Sequence, residues 1–354
     1  MQYPERKEVS GVMNLRKVTI VDVAQQAGVS VTTVSLVLSG KGRISRKTAD
    51  KVNAAIEELG YVRNQQAATL RDNISNVIGL IVKDITEPFY AEVAAGVSEY
   101  AETQGKQVFL TQSGNSAAGF ARSLDSLIRY GVDGVVAGGG KFLTNEVVER
   151  VNHYQIPMVC AARASEFSGI DVVRPDNASA ARMATEYLIK NGHRQIAYFG
   201  GESDSLTRAE RVGGYCSTLV QYGLPFRPEW IVETDNKQQN IIRSVSGFMY
   251  QYPKVSAIVC HNTGTALGAY FAALSTGNTV RQGDNESYFT QEIALVGFDD
   301  IGSEALYDIP VAFITQPSRD VGRSAATRLL RRIGGDNSPP ANVTLSPGFT
   351  QLNG

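Results

Sequence analysis

The chain has 354 residues, 43% of them hydrophobic and 19% charged, with a formal net charge of −1. That length holds two or three domains. No apolar run approaches the roughly 18 residues of a membrane span, and the N-terminal MQYPERKEVSGVMNLRK lacks the apolar stretch of a signal peptide, so residence in the cytoplasm without a membrane partner is expected. Cys160, Cys216 and Cys260 show neither paired nor metal-type spacing and read as reduced thiols. The small net charge conceals a division: residues 1–76 carry 11 Lys/Arg against 7 Asp/Glu, and the remainder 23 against 28. A basic head on an acidic body suits a protein that sets one end on a polyanion.

Residues 1–17 are polar and aperiodic, as expected of a flexible extension. Within Val18–Ser39, Thr19 is placed to cap a first helix, with Asp22 completing a capping box, and Ile20, Val23, Ala24 and Ala27 form its apolar stripe. Gly28 supplies the turn, since glycine reaches positive φ without steric cost. Ser30 then caps a second helix, with Val34, Val37 and Leu38 inward and Val31, Thr32, Ser35 and Leu36 on the other face. Two short helices so joined form either an ordinary helical hairpin or a helix-turn-helix, whose second helix can enter a DNA major groove. After a loop with Lys41 and Arg43, Ser45 caps a third helix with Ala49, Val52, Ile56 and Leu59 on one face, ended by Gly60. Residues 61–75 follow as a linker. Gln65–Leu70 has good helix formers but is too short to stand alone. It is either a simple tether or a segment that folds on DNA beside its copy, with Leu70 as a minor-groove wedge.

From Asn76 onward strands and helices alternate, the pattern of parallel sheets. VIGLIVK (77–83), QVFLTQ (107–112), GVVAGG (134–139) and MVCAA (158–162) read as strands, with helices near 89–104, 117–130 and 144–153. A second series has strands at 195–200, 256–260 and 293–298 and helices near 178–191, 207–221, 239–251 and 263–275. FITQ and Ser318–Ile333 make a further strand and a long helix whose subdomain the sequence leaves open, and NVTLS is strand-like. Two such series imply two similar α/β subdomains, with ligands expected at the carboxyl ends of strands and at the junction.

In this order, Thr19-Ile20-Val21-Asp22-Val23-Ala24, Ala27-Gly28-Val29-Ser30, Thr33-Val34-Ser35, Val52 and Leu59-Gly60-Tyr61 with Asn64 and Leu70 make a dense pattern. Pro88-Phe89-Tyr90, Gly131-Val132-Asp133-Gly134, Asp176-Asn177, Gly192-His193, Arg211-Val212-Gly213-Gly214-Tyr215 and Val296-Gly297-Phe298-Asp299-Asp300 continue it. From Lys17 onward the chain resembles the lactose-repressor family of bacterial transcription regulators. The resemblance implies an α/β fold class: an N-terminal helix-turn-helix three-helix domain (18–60), a hinge and linker (61–75) and a bilobal, periplasmic-binding-protein-like core of two parallel α/β subdomains (76–354). It also implies a homodimeric repressor on a pseudopalindromic operator in double-stranded DNA, governed by a small effector, a sugar or a derivative, and regulating carbohydrate metabolism.

By position, the resemblance assigns Val31, Thr32 and Leu36 to base edges, where they offer methyl groups and one hydroxyl but no bidentate contact. Specificity then falls partly on DNA shape at the hinge. Ser30, Thr33, Ser35 and Ser39 match phosphate-contacting positions. Thr19 and Asn64 join the DNA-binding set, and Leu70 matches the hinge leucine. Arg63 stands where many relatives have proline. In the core, Phe89 and Tyr90 match a loop walling the effector cleft, and Arg211, Asn262 and Asp299 match polar positions that grip sugar hydroxyls or a purine. Arg163 and Gln316 are added to that set.

Other signals are set aside. Gly138-Gly139-Gly140-Lys141 follows a strand, but Phe142 stands where a phosphate loop requires Ser or Thr. His153, His193 and His261 have no paired metal-ligand spacing, and no nucleophile elbow is present. No enzyme activity, metal or cofactor is expected. The alternative to a repressor is a cytosolic sugar-binding protein without a DNA-binding role. The eight residues after NVTLS carry no leucine heptad, so a dimer is expected rather than a tetramer joined by a coiled-coil tail.

Overall fold

The computed structural model describes residues 18–40, 43–61, 75–139, 142–162, 169–235, 237–276, 279–280, 292–299 and 309–350. The chain divides into two units, one up to Ser75 and one from Asn76 onward.

In the first unit, three helices, α1 (Ile20–Ala27), α2 (Val31–Ser39) and α3 (Arg46–Leu59), surround a small apolar centre. Val23, Val34 and Val52 are fully buried there, with Ala24 and Ala55 beside them. Each fully buried aliphatic side chain contributes about 1.5–3 kcal/mol, a large share for so few residues. Thr19 and Asp22 form the reciprocal capping box, and Gly28 ends α1 in the left-handed region at φ 65°. Ser30 and Ser45 cap the other two helices, each by accepting a backbone N–H three residues on.

The second unit holds two sheets. In the first, the order is β12 (Asn342–Leu345), β5 (Asp171–Pro175), β4 (Met158–Ala161), β3 (Gly134–Gly138), β1 (Val77–Val82) and β2 (Gln107–Gln112), with every pairing parallel. Burial on both faces explains the near-continuous apolar runs of the inner strands β1, β3 and β4. Ile78, Leu80 and Val82 meet α4 (Pro88–Thr103) and α11 (Ser318–Ile333), and Ile81 meets α5 (Ala117–Tyr130) on the other face. A further helix, α6 (Asn145–His153), joins β3 to β4.

The second sheet runs β13 (Gly348–Thr350), β11 (Ala312–Thr315), β10 (Glu292–Asp299), β8 (Ala257–Cys260), β6 (Ile196–Phe199) and β7 (Ile231–Val232), with β9 (Thr279–Val280) on β10. Only β13 is antiparallel among these described pairings. One face carries α7 (Asn177–Lys190) and α8 (Leu206–Gln221), the other α9 (Gln238–Gln251) and α10 (Thr263–Ser275).

The long helix left open by the sequence belongs to the first lobe: α11 lies along α4 and over β3, β4 and β5. Among the described elements the chain therefore crosses between lobes three times, after β5, β11 and β12, and Pro175, Pro317 and Pro347 stand at these crossings. Sequence reading passes over β5, because DVVRP has two apolar residues flanked by charge and closes on proline. It also passes over β7, β9 and β13, which are two or three residues long.

Candidate DNA-reading and effector-binding sites

In the first unit α1 and α2 bend by 104° across the turn at Gly28, within the range of a helix-turn-helix. Val34 anchors α2 from below while Val31 and Thr32 stand exposed, and Thr33, Ser35 and Leu36 are half-buried. Thr19 Oγ1 is 2.6 Å from Asp22 Oδ2, and the Thr33 N–H donates to Ser30 Oγ at 3.1 Å, with their hydroxyls 2.8 Å apart. Three of the expected DNA-binding hydroxyls thus also organise helix ends. The capped start of α2 carries no acidic residue, which leaves its positive dipole end open to a phosphate. The side chain of Ser39, and Asn64 and Leu70 entirely, lie outside the described residues.

In the second unit strand order assembles the other site. Asn262, Asp299 and Gln316 lie at or just beyond the carboxyl ends of β8, β10 and β11, which are neighbours in the sheet. Adjacent strands are about 4.8 Å apart, so residues distant in sequence stand in one row. Asn262 caps α10, its Oδ1 accepting from Thr265 N–H at 2.8 Å and Thr265 Oγ1 at 2.9 Å. Gln316 is 3% exposed, and its buried Oε1 and Nε2 have no hydrogen-bond partner among the described residues. It lines a cavity of about 420 Å³ with Glu92, Ser318, Arg319 and Ser346. The side chain of Asp299, and all of Arg163, lie outside the described residues.

Arg211 is 1% exposed. Its Nε donates to Asn177 Oδ1 at 3.2 Å, Nη1 donates to the His261 carbonyl, and the guanidinium lies 4.1 Å over the Phe298 ring. Those contacts seat an arginine among strand ends of the second sheet. Asn177, His261 and Glu210, which sequence reasoning did not assign, are among its surroundings. Glu210 Oε2 accepts from Asn177 Nδ2 at 2.7 Å. Their signals were indirect: Asp176-Asn177 as a motif, and Glu210 beside Arg211.

Phe89 and Tyr90 fall elsewhere than a loop. They occupy the first turn of α4 behind Pro88, packed edge to face at 5.2 Å, and both are buried. Both belong to the apolar core of the first lobe, and Tyr90 also lies against Gly138 at the carboxyl end of β3.

Several other titratable groups among the described residues are buried. Burial pushes the Cys160 thiol up to about 12 and raises the Tyr198 and Tyr215 hydroxyls. Burial, with the charge of Arg194, lowers His193. His193 Nδ1 pairs with Ser256 Oγ at 2.9 Å, and His261 Nδ1 with Tyr198 OH at 2.8 Å. Among the described residues no group of His, Cys, Asp and Glu could hold a metal ion, and no single helix is long and apolar enough to cross a membrane.

Comparison with known proteins agrees with this architecture. Residues 19–64 match the family model described as bacterial regulatory proteins, lacI family, and residues 75–351 match periplasmic binding proteins and sugar binding domain of LacI family. The maltose regulon regulatory protein MalI of Escherichia coli (strain K12) is 46% identical over 330 residues, 93% of this chain and 96% of its own. The lac repressor dimer bound to operator and the anti-inducer ONPF superposes with a TM-score of 0.81 at 25% identity, covering 95% of this chain and 98% of that one. The transcriptional regulator CelR in complex with cellobiose gives a TM-score of 0.67 at 26% identity, covering 95% and 99%. With a helix-turn-helix unit followed by two parallel lobes, and both matched by family models over most of the length, the chain belongs to the LacI family of bacterial regulatory proteins.

Proposed function

We propose that this protein is a homodimeric transcription repressor, cytoplasmic and without enzymatic activity, that binds a pseudopalindromic operator and responds to a small effector in the core. The observation that carries the reading is α2: capped by Ser30, set at 104° to α1, and offering Val31 and Thr32 outward. Two such helices related by a twofold axis would read half-sites in successive major grooves. Val31, Thr32 and Leu36 would meet thymine methyl groups, and Ser30, Thr33, Ser35 and Ser39, with Thr19 and Asn64, would fix register on phosphates. Residues 61–75 would act as the hinge, with Leu70 opening the minor groove.

The effector is a sugar or sugar derivative in this reading, held by Arg211, Asn262, Asp299 and Gln316, with Arg163 as a further member of the set. The support is polar groups at strand ends, the sugar-binding description of the matching family model, and the cellobiose bound by the related CelR. The identity to MalI supports genes of carbohydrate metabolism as targets.

A gel-shift experiment on DNA upstream of its own and neighbouring genes tests the reading. The expected result is a specific complex that survives excess unrelated duplex. Absence of any complex at low salt overturns it.

A further inference from the structure

A row of side chains crosses from the first sheet to the second, and hydrogen-bond direction orders its members. Arg174, on β5, donates from Nη1 to both carboxylate oxygens of Glu210 on α8, at 2.8 and 3.0 Å. Glu210 Oε2 also accepts Asn177 Nδ2 at 2.7 Å. That bond turns the Asn177 carboxamide so that Oδ1 accepts Arg211 Nε at 3.2 Å. Arg211 in turn donates to the His261 carbonyl.

An ionised carboxylate only accepts and an arginine only donates, so Asn177 between them has one satisfactory amide orientation. The flipped amide would set a donor against Arg211 and an acceptor against Glu210. Asn177 is fully buried, so bulk solvent does not relieve that conflict. The Arg174–Glu210 pair is itself shielded, at 17% and 21% exposure, which lifts it above the weak surface class.

We propose that Glu210 is a positioning residue of the effector cleft, one that fixes Arg211 through Asn177 and is itself fixed by Arg174 of the other lobe. The setting of the cleft arginine then depends on whether the two lobes are joined at this pair. The inference rests on the reading of Arg211 as a cleft residue, but its test needs no effector. A claim of coupling between residues out of contact requires a measured coupling, and non-additivity supplies one.

The experiment follows solvent exchange of the Arg211 Nε–H in the full-length, uniformly ¹⁵N-labelled protein, assigned as the resonance lost in Arg211→Lys. The amide of Ile258, buried in β8, serves as the control for general opening. Arg174→Met and Glu210→Gln should each speed Arg211 exchange tenfold or more while Ile258 changes less than twofold. The double variant should add less than twofold to the larger single effect, because both act through one carboxylate. If Arg174→Met does not fold, Arg174→Lys serves, with a smaller acceleration expected. Unchanged Arg211 exchange in the Arg174 variant, full additivity in the double variant, or equal acceleration at Ile258 would each overturn the proposal. A panel of sugars that leaves the wild-type melting midpoint unmoved would count against the sugar reading and leave this result standing.

Discussion

Gly96 and Gly322 each press against the other's helix where α4 and α11 cross: a Cβ on Gly96 would collide with the Arg319 carbonyl, and one on Gly322 with that of Val93. The two backbones touch because neither residue has a side chain. Gly96→Ala should therefore push the helices apart, a cost of about 1–3 kcal/mol that exceeds the gain of up to about 1 kcal/mol from better helix propensity. Gly213→Ala, on α8 with open space around it, should instead be neutral or slightly stabilising. Thermal unfolding of the two variants checks the contrast; a Gly96→Ala midpoint at or above wild type would refute the contact.

A second prediction concerns acid. Asp171 is 2% exposed and accepts from Arg328 at 2.9 Å, Arg332 at 2.8 Å and the Ala341 N–H at 2.9 Å, joining β5, α11 and the approach to β12. Burial by itself raises its pKa, but the bonds from Arg332, Arg328 and Ala341 outweigh it and hold the carboxyl below its ordinary value. The folded pKa is depressed, so the stabilisation is present above the unfolded value of about 3.9 and is lost as pH falls through the folded value. Asp171→Asn should cost about 3 kcal/mol at neutral pH, and the gap to wild type should close below about pH 4. Denaturant midpoints at a series of pH values measure this; a gap independent of pH would sink it.

Arg211→Lys tests the proposed effector role. A lysine ammonium cannot reproduce the guanidinium fork that reaches both Asn177 and His261, and each buried acceptor left unmade costs about 1–3 kcal/mol. The variant should melt several degrees lower and bind DNA within about twofold of wild type. It should also lose the thermal shift that an effector sugar gives the wild type. An undiminished shift removes Arg211 from the site.

Leu70→Ala separates a wedge from a tether. A minor-groove wedge contributes only where DNA is opened at the operator, so specific binding should weaken at least tenfold while binding to unrelated duplex changes little. Equal losses on both DNAs would make residues 61–75 a plain linker.

The helices were the legible part of this fold, because their signals are local. The spans expected for α5, α10 and α11 match the bounds observed, and Thr19, Ser30 and Ser45 cap as the sequence predicts. What the sequence hides is non-local. β5 has too few apolar residues to announce itself. The row Asn262, Asp299 and Gln316 exists only through strand order, and Arg174 meets Glu210 across 36 positions of chain. Phe89 shows the converse: its motif pointed to a cleft wall, while packing carries its ring into the core of the first lobe.

The return of α11 to the first lobe governs when that lobe can be finished. Glu92 and Arg319 pair across 227 residues, and the apolar face formed by Ile78, Leu80 and Val82 waits for Val321, Ala325 and Leu329. During synthesis, at about 5–20 residues per second, the interval from the end of β5 to the end of α11 lasts roughly 8–30 s. Throughout it the amino-terminal lobe exposes one flank of a parallel sheet while the carboxy-terminal lobe is still emerging. The half that is begun first waits for a helix made near the end of the chain, so a nascent chain interrupted before Ile333 carries an adhesive surface that the finished protein never shows.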